Sequence, residues 1–252
     1  MKGAAAVTIV LPAGGRGERL AELAGAAGRN KAAVRVGRTS LIGRTFGMYE
    51  RAGMCRAVAL VFHRPGSVLR ALAPAIRRGV SVAISRDPGR PVGKGGAIRL
   101  ALDRGLIPAD RPFIVHNPDD QIVGIDRTFV GRVLVKHRAC ARRGALATAV
   151  CVPGTRYAYS AFTLRRDGLA RGAVMYPFVP YVTHIGVTIF EPGAIPLFRK
   201  LIPRGRRVDF ESVILPALAR RGKLAIAYVP AGSWIPVNDL KSYRELLAAL
   251  GG

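Results

Sequence analysis

Strand-sized apolar runs alternate with helix-patterned segments through the first 150 residues, and this rhythm constrains the fold more than any other feature of the chain. Ala4–Leu11 is a continuous apolar run of strand length. Ser40–Ala52 then carries Leu41, Ile42, Phe46 and Tyr49 at helical spacing. Ala57–Phe62 is again a run, Ser67–Arg77 is helical, Val80–Ile84 a strand and Gly95–Arg104 a helix. Phe113–His116, a helix over Thr128–Arg138 and Ala145–Val152 continue the alternation. Such an order predicts an α/β fold, a mostly parallel sheet with helices on both faces. After Val152 the rhythm changes. Tyr157–Leu164 and Ile185–Phe190 read as strands with no helix between them, which predicts antiparallel edge additions in the C-terminal half. Asp209 is placed to cap a helix running to about Arg221, Lys223–Val229 reads as a strand, and Leu240–Leu250 as a closing helix.

At 252 residues, half of them hydrophobic, the chain can bury one sizeable core and reads as a single domain, 1–252. No apolar run approaches the length of a membrane span, so no membrane partner is expected. Cys55, Cys140 and Cys151 form no close pair and are odd in number, which predicts reduced cysteines and a cytoplasmic protein. The formal net charge is +25, and 33 of the 40 basic residues are Arg. They come as singles and pairs such as Arg77-Arg78 and Arg206-Arg207, not as one dense tail. That pattern predicts basic surface helices and nonspecific nucleic-acid binding at low salt rather than a dedicated nucleic-acid site, and it suits polyanionic substrates.

The first strand opens into Leu11-Pro12-Ala13-Gly14-Gly15-Arg16-Gly17-Glu18-Arg19-Leu20, with Lys31 eleven residues on. Glycines let a backbone approach phosphate and turn N–H groups toward it. A helix starting near Glu18 would add its positive end, and Arg19 and Lys31 would add full charges. The dinucleotide fingerprint is excluded because Leu20 stands where its third Gly belongs. A Walker A loop at Gly89–Lys94 is excluded because it is one residue short and Gly95 replaces the Ser or Thr. Asn117-Pro118-Asp119-Asp120 follows a strand; its acids suit a hard cation such as Mg²⁺, while Asn, Pro and Asp equally suit a plain turn. Gly93-Lys94-Gly95-Gly96-Ala97 opens a helix, where small residues admit either a base or sugar or close helix–sheet packing. Asn238 and Asp239 stand before the last helix, as caps or as further metal ligands.

Taken in order, these motifs resemble the sugar-1-phosphate nucleotidylyltransferases, which have a Rossmann-like fold. Gly15-Arg16-Gly17-Glu18-Arg19-Leu20 with Lys31 is similar to that family's opening loop and lysine, and Val36–Ile42 to its V-G-x-x-P-L-I. Gly93–Ala97 resembles its Gly-Thr-Ala-Gly-Ala, Asn117-Pro118-Asp119 its Asn-Gly-Asp, and Ile185–Pro192 its A-G-I-Y-V-F-E-P strand. Asp209-Phe210-Glu211, Leu215-Pro216, Trp234 and Tyr243 complete the series over nearly the whole chain. The resemblance implies a nucleoside triphosphate and a sugar-1-phosphate as partners, Mg²⁺ as cofactor, and a nucleotide-binding half (1–152) followed by a sugar-binding half (153–252). It implies Arg19, Lys31 and Asp119 as catalytic residues. Leu11, Ala13, Gly14, Gly15, Gly17, Gly93 and Lys94 would line the nucleotide, and Met175, His184 and Gly186 the sugar. Asp119, Asn238 and Asp239 would hold the metal. Asn30 stands where the family has Pro, Asp87-Pro88 where it has a base-reading Gln, and Met175-Tyr176-Pro177 in place of Glu-Lys-Pro. His184 replaces an Asn, and Pro236 an Asp; in the register of a cytidylyltransferase branch Asn238 takes that ligand's place. These departures admit two alternatives: a non-catalytic binding subunit, or a cytidylyltransferase acting on a non-sugar phosphate. An oligomer is compatible with the chain.

Overall fold

The computed structural model describes residues 7–15 and 29–251. Its strands and helices, in chain order, begin with β1 (Thr8–Pro12), β2 (Arg35–Val36), β3 (Thr39–Ser40), α1 (Leu41–Arg51), β4 (Arg56–Val61), α2 (Pro65–Arg77) and β5 (Ser81–Arg86). There follow α3 (Gly93–Asp103), β6 (Phe113–His116), β7 (Asp120–Ile122), α4 (Phe129–Ala141), β8 (Ala147–Val152), β9 (Thr155–Arg156), β10 (Ser160–Leu164), β11 (Ala170–Met175) and β12 (Phe178–Val179). The chain closes with β13 (Thr183–Phe190), α5 (Ile195–Leu201), α6 (Phe210–Arg220), β14 (Leu224–Tyr228), β15 (Trp234–Pro236) and α7 (Leu240–Ala249).

Seven strands form the central sheet in the order β14-β8-β13-β6-β1-β4-β5. Every neighbouring pair is parallel except those of β13, which runs antiparallel to both β6 and β8. The predicted α/β sheet is therefore present, and the C-terminal half adds antiparallel pairs. The placement differs from the expectation in one respect. Ile185–Phe190 lies inside the sheet rather than at its edge, because its alternate side chains reach both cores. Ile185, Val187 and Ile189 join one cluster and Phe190 the other. Tyr157–Leu164 is outside the sheet altogether, in a two-stranded ribbon of β10 and β11.

Strand alternation builds a core on each face. Ile9 and Leu11 of β1 point to the cluster formed with α1, α2 and α4, while Val10 points to the one formed with α3, α5 and α6. On the second face Phe113, Phe190, Phe198 and Phe210 pack ring to ring at centroid distances of 5.1–6.5 Å. A smaller cluster of Val34, Val36, Leu41, Val123, Ile235, Val237 and Leu246 seats α7 over the β2–β3 and β7–β15 pairs.

The topology also fixes where a ligand can enter. The chain runs from β1 outward to β4 and β5, then returns to the other side of β1 as β6. The order reverses between β1 and β6, so their carboxyl ends diverge into a crevice, the usual ligand position in open α/β sheets.

Candidate active site

Two loops leave the sheet at that crevice. After β1, Ala13 N–H donates to Leu60 O at 2.7 Å and holds the strand end against β4. Gly14 and Gly15 follow on the wall of a cleft of about 320 Å³. Neither has positive φ, and a Cβ on either would meet described atoms only at ordinary contact distances, 3.8–3.9 Å. Neither the backbone nor the described packing calls for glycine here; what the missing side chains leave is open wall. Leu11, by contrast, is fully buried in the core and Ala13 nearly so, and neither is a cleft-lining residue. Pro12 lines the cleft in their place.

Asn30 is buried completely and braces the site. Its Nδ2 donates to Ala13 O and to His63 O, both at 2.6 Å, and its Oδ1 accepts from Ala32 N–H at 2.9 Å. Its own N–H donates to Ser67 Oγ at 3.1 Å. One side chain thus ties the loops after β1 and β4 together and starts the short 3₁₀ turn that aims Lys31 inward.

Lys31 Nζ donates to Asp119 Oδ2 at 2.6 Å and to Asn238 Oδ1 at 3.0 Å. Asn238 arrives because β15 runs antiparallel to β7, with Pro236 opposite Asp120, and Val237 N–H donates to Asp119 O at 2.8 Å. Pro236 therefore serves register, while Asn238 meets the cluster. Asp239 does not join it. Its carboxylate accepts from Ser242 N–H at 2.8 Å in a reciprocal cap of α7, and that bond holds its pKa below the ordinary carboxylate value.

Among the described residues no group of three His, Cys, Asp or Glu side chains has metal-ligand spacing. The donors present are one carboxylate and one amide oxygen already gathered around a cation, the Lys31 ammonium. That hard, sparse set fits Mg²⁺, which is commonly held by one or two carboxylates plus substrate phosphates and water.

Asp120 turns the other way. Its Oδ1 accepts from Trp234 Nε1 at 2.9 Å and its Oδ2 from Asn117 Nδ2 at 3.0 Å. Burial, and secondarily the Asp119 charge, pushes its carboxyl up to about 6. Gly186 has φ +71° in β13, and a Cβ there would overlap the Asp120 carboxylate and come within 2.6 Å of Asn117 Nδ2. Behind them His116 is fully buried, with Nε2 2.8 Å from Asp120 O and Nδ1 2.8 Å from Tyr49 OH. A carbonyl only accepts, so Nε2 carries the proton and the Tyr49 hydroxyl donates to Nδ1. Burial lowers the His116 pKa to about 4 and keeps the ring neutral.

The opposite wall is the start of α3. Gly93, at φ +72°, would bring a Cβ within 2.6 Å of Val208 O; Gly95 and Gly96 would likewise meet the 206–210 backbone at 2.9 Å. Gly95 and Gly96 N–H both donate to Val208 O, and Lys94 N–H donates to the Asp209 carboxylate at 3.0 Å. These glycines serve close packing, and the three N–H groups are spent on protein acceptors rather than held out for phosphate. Asp209 thus differs from its expected role, because its side chain satisfies the first turn of α3 rather than that of α6. Lys94 Nζ pairs with Glu211. Gly93 and Lys94 nonetheless line the cleft, together with Asp87, Arg207 and Asp209.

No protein-family model and no curated protein matches this chain. Among solved structures it superimposes on a protein of Bacillus anthracis, assigned as a glucose-1-phosphate thymidylyltransferase and crystallised with a sucrose. The TM-score is 0.71, over 96% of this chain and 94% of that one, at 16% identity. The chain has a nucleotidyltransferase-like fold. Within it the structure brings Lys31, Asp119 and Asn238 together, and Gly14, Gly15, Gly93 and Lys94 face the same cleft. Gly17 and Arg19 lie outside the described residues. His184 is mostly withdrawn into β13, its Nε2 donating to Val187 O at 3.1 Å, and burial lowers its pKa. Met175 is exposed on the ribbon and is not a cleft-lining residue. Its neighbour Tyr176 lies under Lys241 Nζ at 5.2 Å, beside the start of α7. Arg207 was missed as a cleft residue, and Asp87, noted only as standing where the resembled family has Gln, lines the cleft with it. Each sits in a surface loop, where sequence periodicity carries no direction. Among the described helices none is long and apolar enough to cross a membrane.

Proposed function

We propose that the chain is a nucleotidyltransferase that joins a nucleoside triphosphate to a sugar-1-phosphate and releases pyrophosphate. The observation that carries this reading is the Lys31–Asp119–Asn238 cluster at the β1/β6 switch point, opening on a cleft walled by Gly14 and Gly15. A phosphate oxygen of the acceptor attacks the α-phosphorus in line. The new O–P bond forms as the bond from that phosphorus to the bridging oxygen of the β-phosphate breaks, and the electron pair leaves on pyrophosphate. Such a transfer needs alignment and charge neutralisation more than covalent help. Lys31 supplies a cation held in place by Asp119 and Asn238. Arg207 lines the cleft with further positive charge, Lys94 lines it with its ammonium paired to Glu211, and Arg19, which follows β1 in the sequence, is assigned to the departing pyrophosphate. Asp119 and Asn238 would hold Mg²⁺, which when bound neutralises phosphate charge. The sugar side falls to the 153–252 half, with His184, Gly186 and Met175 as its candidate residues; Gly186 acts there through the position of Asp120 and Asn117.

The test is pyrophosphate release with Mg²⁺, each common triphosphate in turn and a panel of sugar-1-phosphates. One pairing is expected to turn over. Nucleotide binding without pyrophosphate release under any pairing would favour the binding-subunit alternative, which the presence of Asn238 rather than a second carboxylate beside Asp119 supports.

A further inference from the structure

The cleft crosses the carboxyl ends of four adjacent parallel strands, in the order β6, β1, β4, β5. Each strand gives it a residue just past its own end: Asn117 after β6, Gly14 after β1, Phe62 after β4 and Asp87 after β5. Pro12 pairs with Leu60 and Val61 with Arg86, so Gly14, Phe62 and Asp87 stand at one level. Neighbouring strands lie about 4.8 Å apart, which makes the crossing about 14 Å long. Its two ends differ in chemistry. The β6 end holds Asp119 with the Lys31 ammonium. Toward β5 the wall is half-buried Phe62 and Pro91, and beyond them stands the Asp87 carboxylate. Asp87 is fixed there by its backbone and its side chain. Its N–H donates to Val61 O at 3.2 Å, and its Oδ2 accepts from Val92 N–H at 3.1 Å.

We propose that Asp87 reads the nucleobase of the triphosphate and selects guanine. The inference rests on the nucleotidyltransferase reading, which puts the phosphates at the Lys31 end. A nucleoside extended from there lays its base along the Phe62 and Pro91 wall and brings the base edge to Asp87. An ionised carboxylate accepts hydrogen bonds, donates none, and repels phosphate. It therefore suits the donor edge of a base and no other part of a nucleotide. Guanine presents N1–H and its 2-amino group side by side, two parallel donors that match the two oxygens of one carboxylate. Oδ2 keeps a lone pair for this after accepting from Val92. Adenine and cytosine each present one amino group beside a ring nitrogen that only accepts. Uracil and thymine present one N–H between two carbonyls. In those four bases an acceptor lone pair meets an Asp87 oxygen, so the same carboxylate that holds guanine disfavours them.

Calorimetric titration of the full chain with Mg²⁺ and each triphosphate tests this without turnover. Guanosine triphosphate is expected to bind on the order of 100-fold more tightly than the adenosine, cytidine, uridine or thymidine triphosphate. Inosine triphosphate, which lacks only the 2-amino group, should bind about 10-fold more weakly than guanosine triphosphate. That comparison needs no variant and survives any folding defect. Asp87→Asn replaces one acceptor by a donor, so it should reverse the order: guanosine triphosphate weakens, and xanthosine triphosphate, with an oxygen in place of the 2-amino group, tightens. Asp209→Asn, which changes the other carboxylate near α3, should leave the ratio of guanosine to inosine triphosphate affinity as it is. Equal binding of those two, a preference for another base, or an order indifferent to Asp87→Asn overturns the assignment of Asp87 and leaves the nucleotidyltransferase reading standing. A chain that binds no triphosphate overturns both.

Discussion

Lys31 Nζ stands 2.6 Å from Asp119 Oδ2 although 88 residues separate them in the chain. The pair is only partly buried, with side-chain exposures of 17% and 32%. An ion pair so placed is worth about 1 kcal/mol or less to folding. Its consequence for phosphate chemistry is larger, because charge fixed where a transition state needs it contributes on the order of 10²-fold or more in rate. Asp119→Asn and Lys31→Met are therefore each expected to cut Mg²⁺-dependent pyrophosphate release by at least about 100-fold. Urea midpoints of both variants should stay close to wild type. Wild-type rates in either variant would remove the cluster from the mechanism.

Gly186→Ala is expected to fail by a different route. The new Cβ would overlap the Asp120 carboxylate, and φ +71° strains any L side chain. Asp120 cannot retreat, since Trp234 Nε1 and Asn117 Nδ2 hold both of its oxygens. Overpacking plus backbone strain at one buried site costs about 3–5 kcal/mol. The measurement is the urea midpoint of the variant. Gly37→Ala provides the control, because Gly37 also has positive φ, +57°, but a Cβ there meets nothing within 4 Å. It should cost about 1–2 kcal/mol.

The central sheet was legible because its inner strands are buried on both faces and read as unbroken apolar runs. The meeting of Lys31 with Asp119 and Asn238 was legible from the order of the motifs along the chain. Three things were not. The role of Asp120 is one: only the β7–β15 pairing turns its carboxylate away from the cluster, onto Trp234 and Asn117. The Gly93–Gly96 run carries the same composition whether it receives a ligand or a neighbouring backbone, and the 206–210 segment that approaches it lies 110 residues on. β11 escaped notice because its Ala, Arg and Gly residues leave Val174 as its one β-branched residue and it has no aromatic one.

Asn30 shows how a departure from a pattern is absorbed. Its backbone has φ −70° and ψ 140°, values a proline adopts readily. What proline cannot supply is the bonding to Ala13 O, His63 O, Ala32 N–H and Ser67 Oγ. Asn30→Pro and Asn30→Ala should both leave two carbonyls without their donor and cost about 2–4 kcal/mol. Both should also loosen the aim of Lys31, lowering kcat by more than KM rises. A variant that keeps wild-type stability in urea would show that the side-chain bonds are replaced by water without loss.

The buried titratable groups set a pH dependence whose parts oppose one another. The Asp120 carboxyl, pushed up to about 6, holds a proton in the folded chain that the unfolded chain has lost above its ordinary value near 3.8. Between those values the native state binds more protons, so this group subtracts stability as pH rises. His116, lowered to about 4 by burial, refuses a proton that the unfolded chain accepts below about 6.5. Over that range the unfolded state binds more protons, and stability grows as pH rises. His137 and His184, also lowered by burial, act in the same direction as His116. Wild type should therefore gain stability modestly from about pH 4.5 to 6.5, the histidines outweighing one carboxyl. Asp120→Asn removes the opposing group and should steepen that gain by about 1–3 kcal/mol over the interval. His116→Gln should flatten it. Urea titrations at several pH values with a metal chelator present measure both slopes, and an Asp120→Asn slope equal to wild type would mean that this carboxyl titrates at its ordinary value.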